Sequence, residues 1–428
     1  MRPPNLLFIL ADDMGWGDLS CYGRPDYRTP HLDALAAQGV RLTDCYAGSA
    51  TCSPTRIAFL TGRYPARHPA GLAEPLLHSV HGSSLGLEPS FPILPRLLGA
   101  QGYRCGLLGK WHCGEGEEFG PLKSGFDEFY GVESTGAGYF SYRDEHGRFL
   151  GREGEAASAP GRYLTHALSE RACDFIERHA AQPFYLSLHY TAPHWPWEAP
   201  FHDSEDATER SSGTGGGSIA IFGEMVRAMD EGIGAVMQTL RRLGLDNNTL
   251  VVFTSDNGGE RYSYHYPLTG HIRLLREGGI RVPGIACWPG QIPAGRVCEQ
   301  TAITMDWTAT FLRAAGAQAH PDYPGDGMDL LPVLRGQAST LERTLCWRTP
   351  TASAVRRGPW KWLQQLDTGT ERLFNLVHDI REYADFRDSH PHILAALRDA
   401  FQQWESGMLP RPQAVTTPAV PHVDFRIY

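Results

Sequence analysis

The stretch that most constrains this chain is Asn5-Leu6-Leu7-Phe8-Ile9-Leu10-Ala11, which runs straight into Asp12-Asp13. A continuous apolar run has no polar face, so it reads as a strand covered on both sides, the usual state of a parallel strand. The pattern returns at Leu250–Thr254, followed by Ser255-Asp256-Asn257. Further strands are predicted at Val40–Tyr46, Tyr103–Leu108, Phe184–Tyr190 and Val282–Trp288. Helices are predicted from Thr29-Pro30 to Gly39, from Ser53-Pro54 towards Leu60, and over Ser90–Ala100, Tyr163–Ala180, Ile219–Leu243 and Ile303–Ala315. Strands alternating with helices imply an α/β three-layer sandwich with a mainly parallel central sheet. From about residue 340 the texture changes. Short strand-like pieces at Thr344–Trp347, Ser353–Arg356 and Trp360–Gln364 precede a helix over His392–Ser406. The expected organisation is a catalytic α/β domain over 1–338, then a small antiparallel subdomain and extended tail over 339–428. Ser211–Ser218 reads as a flexible loop.

Composition narrows the function. The 428 residues are 42% hydrophobic and 20% charged, which fits a globular chain. Net charge is −9, which argues against general nucleic-acid binding but leaves room for a local cationic pocket. The nine cysteines have no C-x-x-C pair and no regular spacing, so they read as scattered thiols. The apolar run before Asp12 is too short for a signal peptide or a membrane span. The chain as it stands therefore reads as soluble and cytoplasmic, or as periplasmic or secreted if a leader has been removed.

In open α/β sheets the chemistry sits beyond the C-terminal ends of the strands. Asp12, Asp13, Asp256 and Asn257 occupy two such ends and converge if their strands are neighbours. Three carboxylates and an amide oxygen suit a hard cation, calcium or magnesium, better than zinc. Either pair alone reads better as a turn former; two pairs after two very apolar strands point to one site. Lys110 and His112 follow another strand and are expected to share its edge face. His194, in Ala192-Pro193-His194-Trp195-Pro196, follows a third. Cys52 opens a helix whose free N–H groups favour an anion, and Arg56 lies one turn on, aimed at the same pocket. As a thiolate, Cys52 fits a hard oxygen cage badly.

Seven blocks occur in order: Pro4–Asp13 with Gly15-Trp16-Gly17-Asp18, Thr29-Pro30-His31-Leu32-Asp33, Cys52-Ser53-Pro54-Thr55-Arg56 with Leu60-Thr61-Gly62-Arg63, Gly109-Lys110-Trp111-His112, Ala192-Pro193-His194, Ser255-Asp256-Asn257-Gly258, and Glu277-Gly278-Gly279-Ile280-Arg281-Val282-Pro283. On these the chain resembles the type I sulfatases of the alkaline-phosphatase superfamily over most of residues 5–335. The resemblance implies that Cys52 is converted to formylglycine by a maturation enzyme, and that its hydrate is the nucleophile. It implies a calcium site of Asp12, Asp13, Asp256, Asn257 and residue 52, with magnesium as the lesser candidate. Arg56 would support formylglycine and Lys110 would contact the sulfate. His194 would bind sulfate and help protonate the leaving oxygen. His112 would take a proton from the sulfated hydrate to expel sulfate.

One block departs from the family pattern. The usual Pro-Leu-Arg-Gly-x-Lys reads Pro267-Leu268-Thr269-Gly270-His271-Ile272 here, so Ile272 stands where a sulfate-binding lysine is expected. His271 or Arg273 is the candidate replacement in substrate binding. Arginine cannot donate a proton at neutral pH, which would leave acid catalysis to a histidine.

The leading expectation is hydrolysis of a small sulfate ester, a sulfated sugar by fold-level analogy. The alternatives are a phosphonate monoester or phosphodiester hydrolase on the same scaffold, and a sugar-sulfate binding protein without turnover. Substrate choice is expected from loops: Glu74–Glu88, Gly136–Arg148, Arg261–His271 and Arg348–Arg357. Tyr262, Tyr264, His265 and Tyr266 cluster in the third; their rings suit sugar stacking, an aryl group or plain packing. Neither a nucleic-acid nor a membrane partner is expected, and oligomeric state is not legible.

Overall fold

The structure is a computed structural model that describes residues 2–143, 162–201 and 216–412. Residues 211–215 of the expected flexible loop, 144–148 of the segment Gly136–Arg148, and the tail beyond 412 lie outside the described residues.

Nine strands build the main sheet: β1 (Asn5–Ala11), β2 (Val40–Tyr46), β3 (Arg104–Lys110), β4 (Glu128–Val132), β5 (Phe184–His189), β6 (Thr249–Ser255), β7 (Arg281–Cys287), β8 (Arg296–Cys298) and β9 (Ala302–Ile303). Their order is β4-β3-β5-β1-β6-β7-β2-β8, with β9 beside β2. Strands β4, β3, β5, β1 and β6 are mutually parallel, while β7 runs antiparallel to both β6 and β2. The expected mainly parallel sheet is present, and β1 lies inside it, as its unbroken apolar run requires.

Side chains of β1 alternate between two helical layers. Leu7, Ile9 and Ala11 face one core, shared with α1 (Pro30–Gln38), α4 (Leu164–Arg178) and α5 (Ile219–Arg242). Leu6, Phe8 and Leu10 face the other, shared with α2 (Cys52–Thr61), α3 (Leu94–Gly99) and α6 (Thr304–Ala315). The rings of Phe8 and Phe59 stack at 3.8 Å and lock α2 onto the centre of the sheet. Register levels the strand ends: Leu10 and Gly109 both pair with His189, and Ala11 pairs with Ser255. Asp12, Lys110 and Asp256 therefore leave the sheet at one edge. Gly109, at φ +107°, permits this approach, because a Cβ there would stand 1.7 Å from the His189 carbonyl oxygen.

Some boundaries shift from expectation. The helix expected from Ser90 starts at Leu94, where Pro95 occupies the first turn. The strand expected at Tyr103–Leu108 runs from Arg104 to Lys110, so Lys110 is its last residue. Strand β4 was not legible, since Glu-Phe-Tyr-Gly-Val carries polar and glycine positions that an edge strand tolerates. All nine cysteines are free. Among the described residues no helix is long and apolar enough to cross a membrane.

The C-terminal part is an antiparallel meander of β10 (Thr344–Arg348), β11 (Ala352–Arg357), β12 (Trp360–Gln365) and β13 (Glu371–Asn375). One face, with Trp347, Leu363 and Phe374, packs on Tyr46, Ile280 and Ile303 of the main domain. The other face takes α7 (Pro391–Glu405) through Leu394, Leu397 and Phe401. A buried charge network seals the junction. Lys361 Nζ lies 2.8 Å from Glu277 and 2.9 Å from Glu382, with all three side chains fully buried. Glu277 also accepts from Tyr46 OH at 2.6 Å and pairs with Arg281 at 3.3 Å.

Removing the cation of such a network strands buried anions, at a cost of about 3–5 kcal/mol. Lys361→Met is expected to lower unfolding free energy by that order, read by urea denaturation. An unchanged midpoint at unchanged m-value would contradict the assignment.

Candidate active site

The site forms where β1, β3 and β6 end against the first turn of α2. Asp12, Asp13, Cys52 and Asp256 each offer one ligand atom, all within 4.8 Å of one another, and all four residues are buried. Lys110 Nζ grips both oxygens of Asp12, at 2.7 and 2.9 Å. Arg56 donates from Nε and Nη2 to Asp256 Oδ2, at 3.0 and 2.7 Å, and its Nη2 lies 3.4 Å from Asp12. Its Nη1 donates to the Lys110 carbonyl at 2.8 Å, so the helix is tied to β3 as well as to β6.

Asp13 sits at φ +59°, a left-handed backbone that non-glycine residues rarely adopt. Its N–H donates to Asp256 Oδ1 at 3.1 Å, and its Oδ1 accepts from Asn257 Nδ2 at 2.6 Å. The Asn257 Oδ1 atom, by contrast, is buried without a hydrogen-bond partner. A buried acceptor with no donor is costly and calls for a cation or a proton donor. Burial and the neighbouring carboxylate push Asp13 up to about 6; burial and then Asp12 do the same to Asp256. Three carboxylates against two cations leave the site one negative charge in excess. A divalent cation would turn that into one positive charge, the right sign for an anionic substrate. Three carboxylate groups and one orphaned amide oxygen thus fit a hard divalent cation, and this chain's residues for it are Asp12, Asp13, Asp256 and Asn257.

Residue 52 completes the cage. Its Sγ lies 3.7 Å from Asp13 Oδ1. Burial pushes the thiol well above its ordinary range, Lys110 opposes the rise, and the carboxylates add to it. A thiolate is therefore disfavoured here, and an unmodified Cys52 makes a poor nucleophile.

The two histidines differ in geometry. His112 does not share a strand face with Lys110 as expected: β3 has ended, and His112 turns through φ +53°. Its Nε2 lies 2.8 Å from the Leu76 carbonyl, to which it must donate. In the neutral ring this leaves a lone pair on Nδ1, which is buried and without a partner. Burial, then Lys110, hold the ring well below the usual histidine range, so it is neutral. His194 donates from Nδ1 to the Trp195 carbonyl, which turns Nε2 towards Asp13 Oδ2 at 3.6 Å. Tyr139 OH fixes that loop by sharing its one proton between the carbonyls of Thr191 and His194, both at 2.9 Å.

The departing block is resolved in part. Ile272 is 8% exposed and adds no charge. Arg273 takes φ +73°, donates its N–H to the Ala50 carbonyl at 2.8 Å, and is an exposed cation whose field reaches Asp13 and Glu260. His271 is partly buried, its Nδ1 2.9 Å from the Ile272 carbonyl, and burial lowers it. The structure therefore brings Asp12, Asp13, Cys52, Arg56, Lys110, Asp256 and Asn257 together, sets His112 and His194 at their margin, and puts Arg273 nearer in charge terms than His271. Sequence reasoning missed three residues. His189 binds the Lys110 carbonyl at 3.0 Å and Ser187 at 2.7 Å beneath the site. Glu260, pushed up to about 7 by burial and Asp13, has a buried oxygen without a partner. Glu198 accepts from the Tyr139 N–H at 2.7 Å and steadies the loop under His194. His189 and Glu198 each belong to strand or loop text with no chemical pattern; Glu260 lies three residues after Asn257, which was its one signal.

The comparisons agree with this geometry. The Sulfatase family profile matches residues 4–317. N-acetylgalactosamine-6-sulfatase of dog is 36% identical over 84% of this chain and 71% of its own length. Bovine arylsulfatase A is 34% identical over 83% of this chain and 72% of its own. Among solved structures, Ps i-CgsB in complex with k-i-k-neocarrahexaose superposes with a TM-score of 0.83, at 29% identity over 96% of this chain and 95% of that one. The fold and the site define an enzyme of the alkaline-phosphatase superfamily. The chain belongs to the sulfatase family and is a sulfuric ester hydrolase.

Glu198 is 1% exposed, and burial raises it to about 7, above the unfolded value near 4.5. The folded state then holds more protons between those values, so stability falls as pH rises from about 4.5 to 7. Glu198→Gln is expected to remove a loss on the order of 1–3 kcal/mol between pH 5 and 8, read by urea denaturation at both. Parallel pH profiles for parent and variant would refute this.

Proposed function

We propose that this protein hydrolyses sulfate esters of sugars through a formylglycine made from Cys52, with calcium in the carboxylate cage. The observation that carries the reading is the cage itself: buried carboxylates and an orphaned Asn257 oxygen packed around a thiol too high in pKa to act. Bound calcium would supply positive charge that acidifies a coordinated hydroxyl and attracts a sulfate oxygen. Formylglycine hydrate would supply a hard oxygen nucleophile where sulfur now stands.

The chain's own residues supply the rest. Lys110 and Arg56 hold Asp12 and Asp256 in place, and Lys110 adds charge at the sulfate. With its Nε2–H given to Leu76, His112 has a free lone pair on Nδ1 and is the base that accepts a proton from residue 52. His194 gives its Nδ1–H to Trp195, so Nε2 carries a proton in the imidazolium form, and that form is the acid for the leaving oxygen; Arg273 adds charge without a transferable proton. The sugar reading is supported by the name of the N-acetylgalactosamine-6-sulfatase relative and by the carbohydrate bound in the Ps i-CgsB structure.

Matured protein is expected to turn over 4-nitrophenyl sulfate, and its residue-52 peptide to be lighter by about 18 Da than the thiol form. Cys52→Ala should cut turnover by about 10³-fold or more, and a calcium chelator should reduce it reversibly. Full activity with an intact thiol at residue 52 would sink the proposal. His194→Ala should cost about 10²–10⁴-fold on a sugar sulfate, whose alkoxide needs a proton, and far less on 4-nitrophenyl sulfate. Equal losses on both would remove His194 from the acid role.

A further inference from the structure

We infer that Tyr266 and Arg381 form a binding site for the sugar unit next to the sulfated one, and that this neighbouring unit is anionic; the inference rests on the sulfated-sugar reading above. The aromatic cluster of 262–266 sorts into packed and presented rings. Tyr262 stacks edge-on against Trp197 at 4.8 Å and donates its hydroxyl to the Gly216 carbonyl at 2.9 Å. Tyr264 is held at both backbone groups, by Asp18 and by Gly17, with its ring 5.8 Å from the Arg24 guanidinium. His265 packs near Gly15, two residues past Asp13. Tyr266 differs: it is 57% exposed.

Arg381 comes from the C-terminal subdomain and covers that ring, its guanidinium carbon 4.9 Å from the centroid and its Nη2 donating to Tyr266 OH at 2.8 Å. The side chain is exposed, and among the described residues no carboxylate pairs with it, so its charge faces outward. Costly backbone fixes its position. Thr269 Oγ1 donates to the Arg381 carbonyl at 2.9 Å. Glu382, next in sequence, is fully buried at φ +59°, accepts from the Glu277 N–H at 2.8 Å and pairs with Lys361. Strained non-glycine backbone persists where the surroundings over-determine it, and such positions cluster at ligand clamps. Here the clamp sets Arg381 on the segment that leads through His271 to Arg273.

A flat ring beside a guanidinium with most of its five N–H donors unused has a definite complement. The ring face turned away from Arg381 takes the apolar face of a pyranose, and the fork takes a carboxylate or sulfate on it. A monosaccharide sulfate has no second anion to offer this pair, whereas a chain with a second anionic unit does.

The test is calorimetric binding to the intact Cys52→Ser protein in calcium buffer, which needs no turnover. The probes are N-acetylgalactosamine 6-sulfate and the chondroitin 6-sulfate disaccharide, which adds a uronate carboxylate. The disaccharide should bind about tenfold more tightly, and Arg381→Gln or Tyr266→Ala should bring the affinity ratio towards one, with Arg381→Lys intermediate. A disaccharide that binds no tighter, or a ratio that survives both substitutions, overturns the inference. Lack of 4-nitrophenyl sulfate turnover by matured wild-type protein would instead overturn the mechanism, whatever this ratio shows.

Discussion

The grip of Lys110 on Asp12 and of Arg56 on Asp256 is the constraint on which the rest of the site depends. It joins the ends of β1, β3 and β6 to the first turn of α2, all without contact with water. Replacing a buried ion pair with hydrophobic residues is often neutral or stabilising, so this network is weak as a source of stability. Its effect is electrostatic and geometric. Two fixed cations allow three carboxylates to share one small volume, and that volume then lacks one positive charge. Such a place suits a divalent cation and, with it, an anion. Residue 52 stands at the helix end, where backbone N–H groups add to the same field.

Strain marks the same region. Among the described residues five non-glycine positions have positive φ, and three of them, Asp13, His112 and Arg273, are site residues. A fourth, Glu382, lies in the buried junction that holds the C-terminal sheet against the Glu277 loop. The small subdomain therefore does more than cover the edge of the main sheet. Through Lys361 and Glu382 it pins Glu277, and through the backbone of Arg381 and Glu382 it holds Thr269 and Arg276, which flank His271 and Arg273.

Much of this was legible in the sequence because it follows from local rules. The run Leu6–Leu10 required a strand covered on both faces, and the structure puts β1 inside the sheet. Asp12, Asp13, Asp256 and Asn257 were placed by the strand-end rule, and Arg56 by helical spacing from residue 52. Other features depended on contacts distant in sequence. Lys110 and His112 alternate on paper, yet β3 ends between them and His112 turns over to meet Leu76. His189 and Glu198 become visible only through partners 79 and 59 residues away in sequence, Lys110 and Tyr139. The role of Glu277 also lay beyond the sequence, because its partner Lys361 belongs to a different sheet. The loss of lysine at Ile272 was plain in the sequence, but the left-handed turn that sends Arg273 outward was not.

On the proposed mechanism, the buried carboxylates surround an oxygen nucleophile and a hard cation. A crystal structure of the matured, active protein grown with calcium tests it most directly. One ion is expected between Asp12, Asp13, Asp256 and the Asn257 side-chain oxygen, with oxygen in place of Sγ on residue 52. An active protein that shows an intact thiol at residue 52 and no ion among these carboxylates would contradict it.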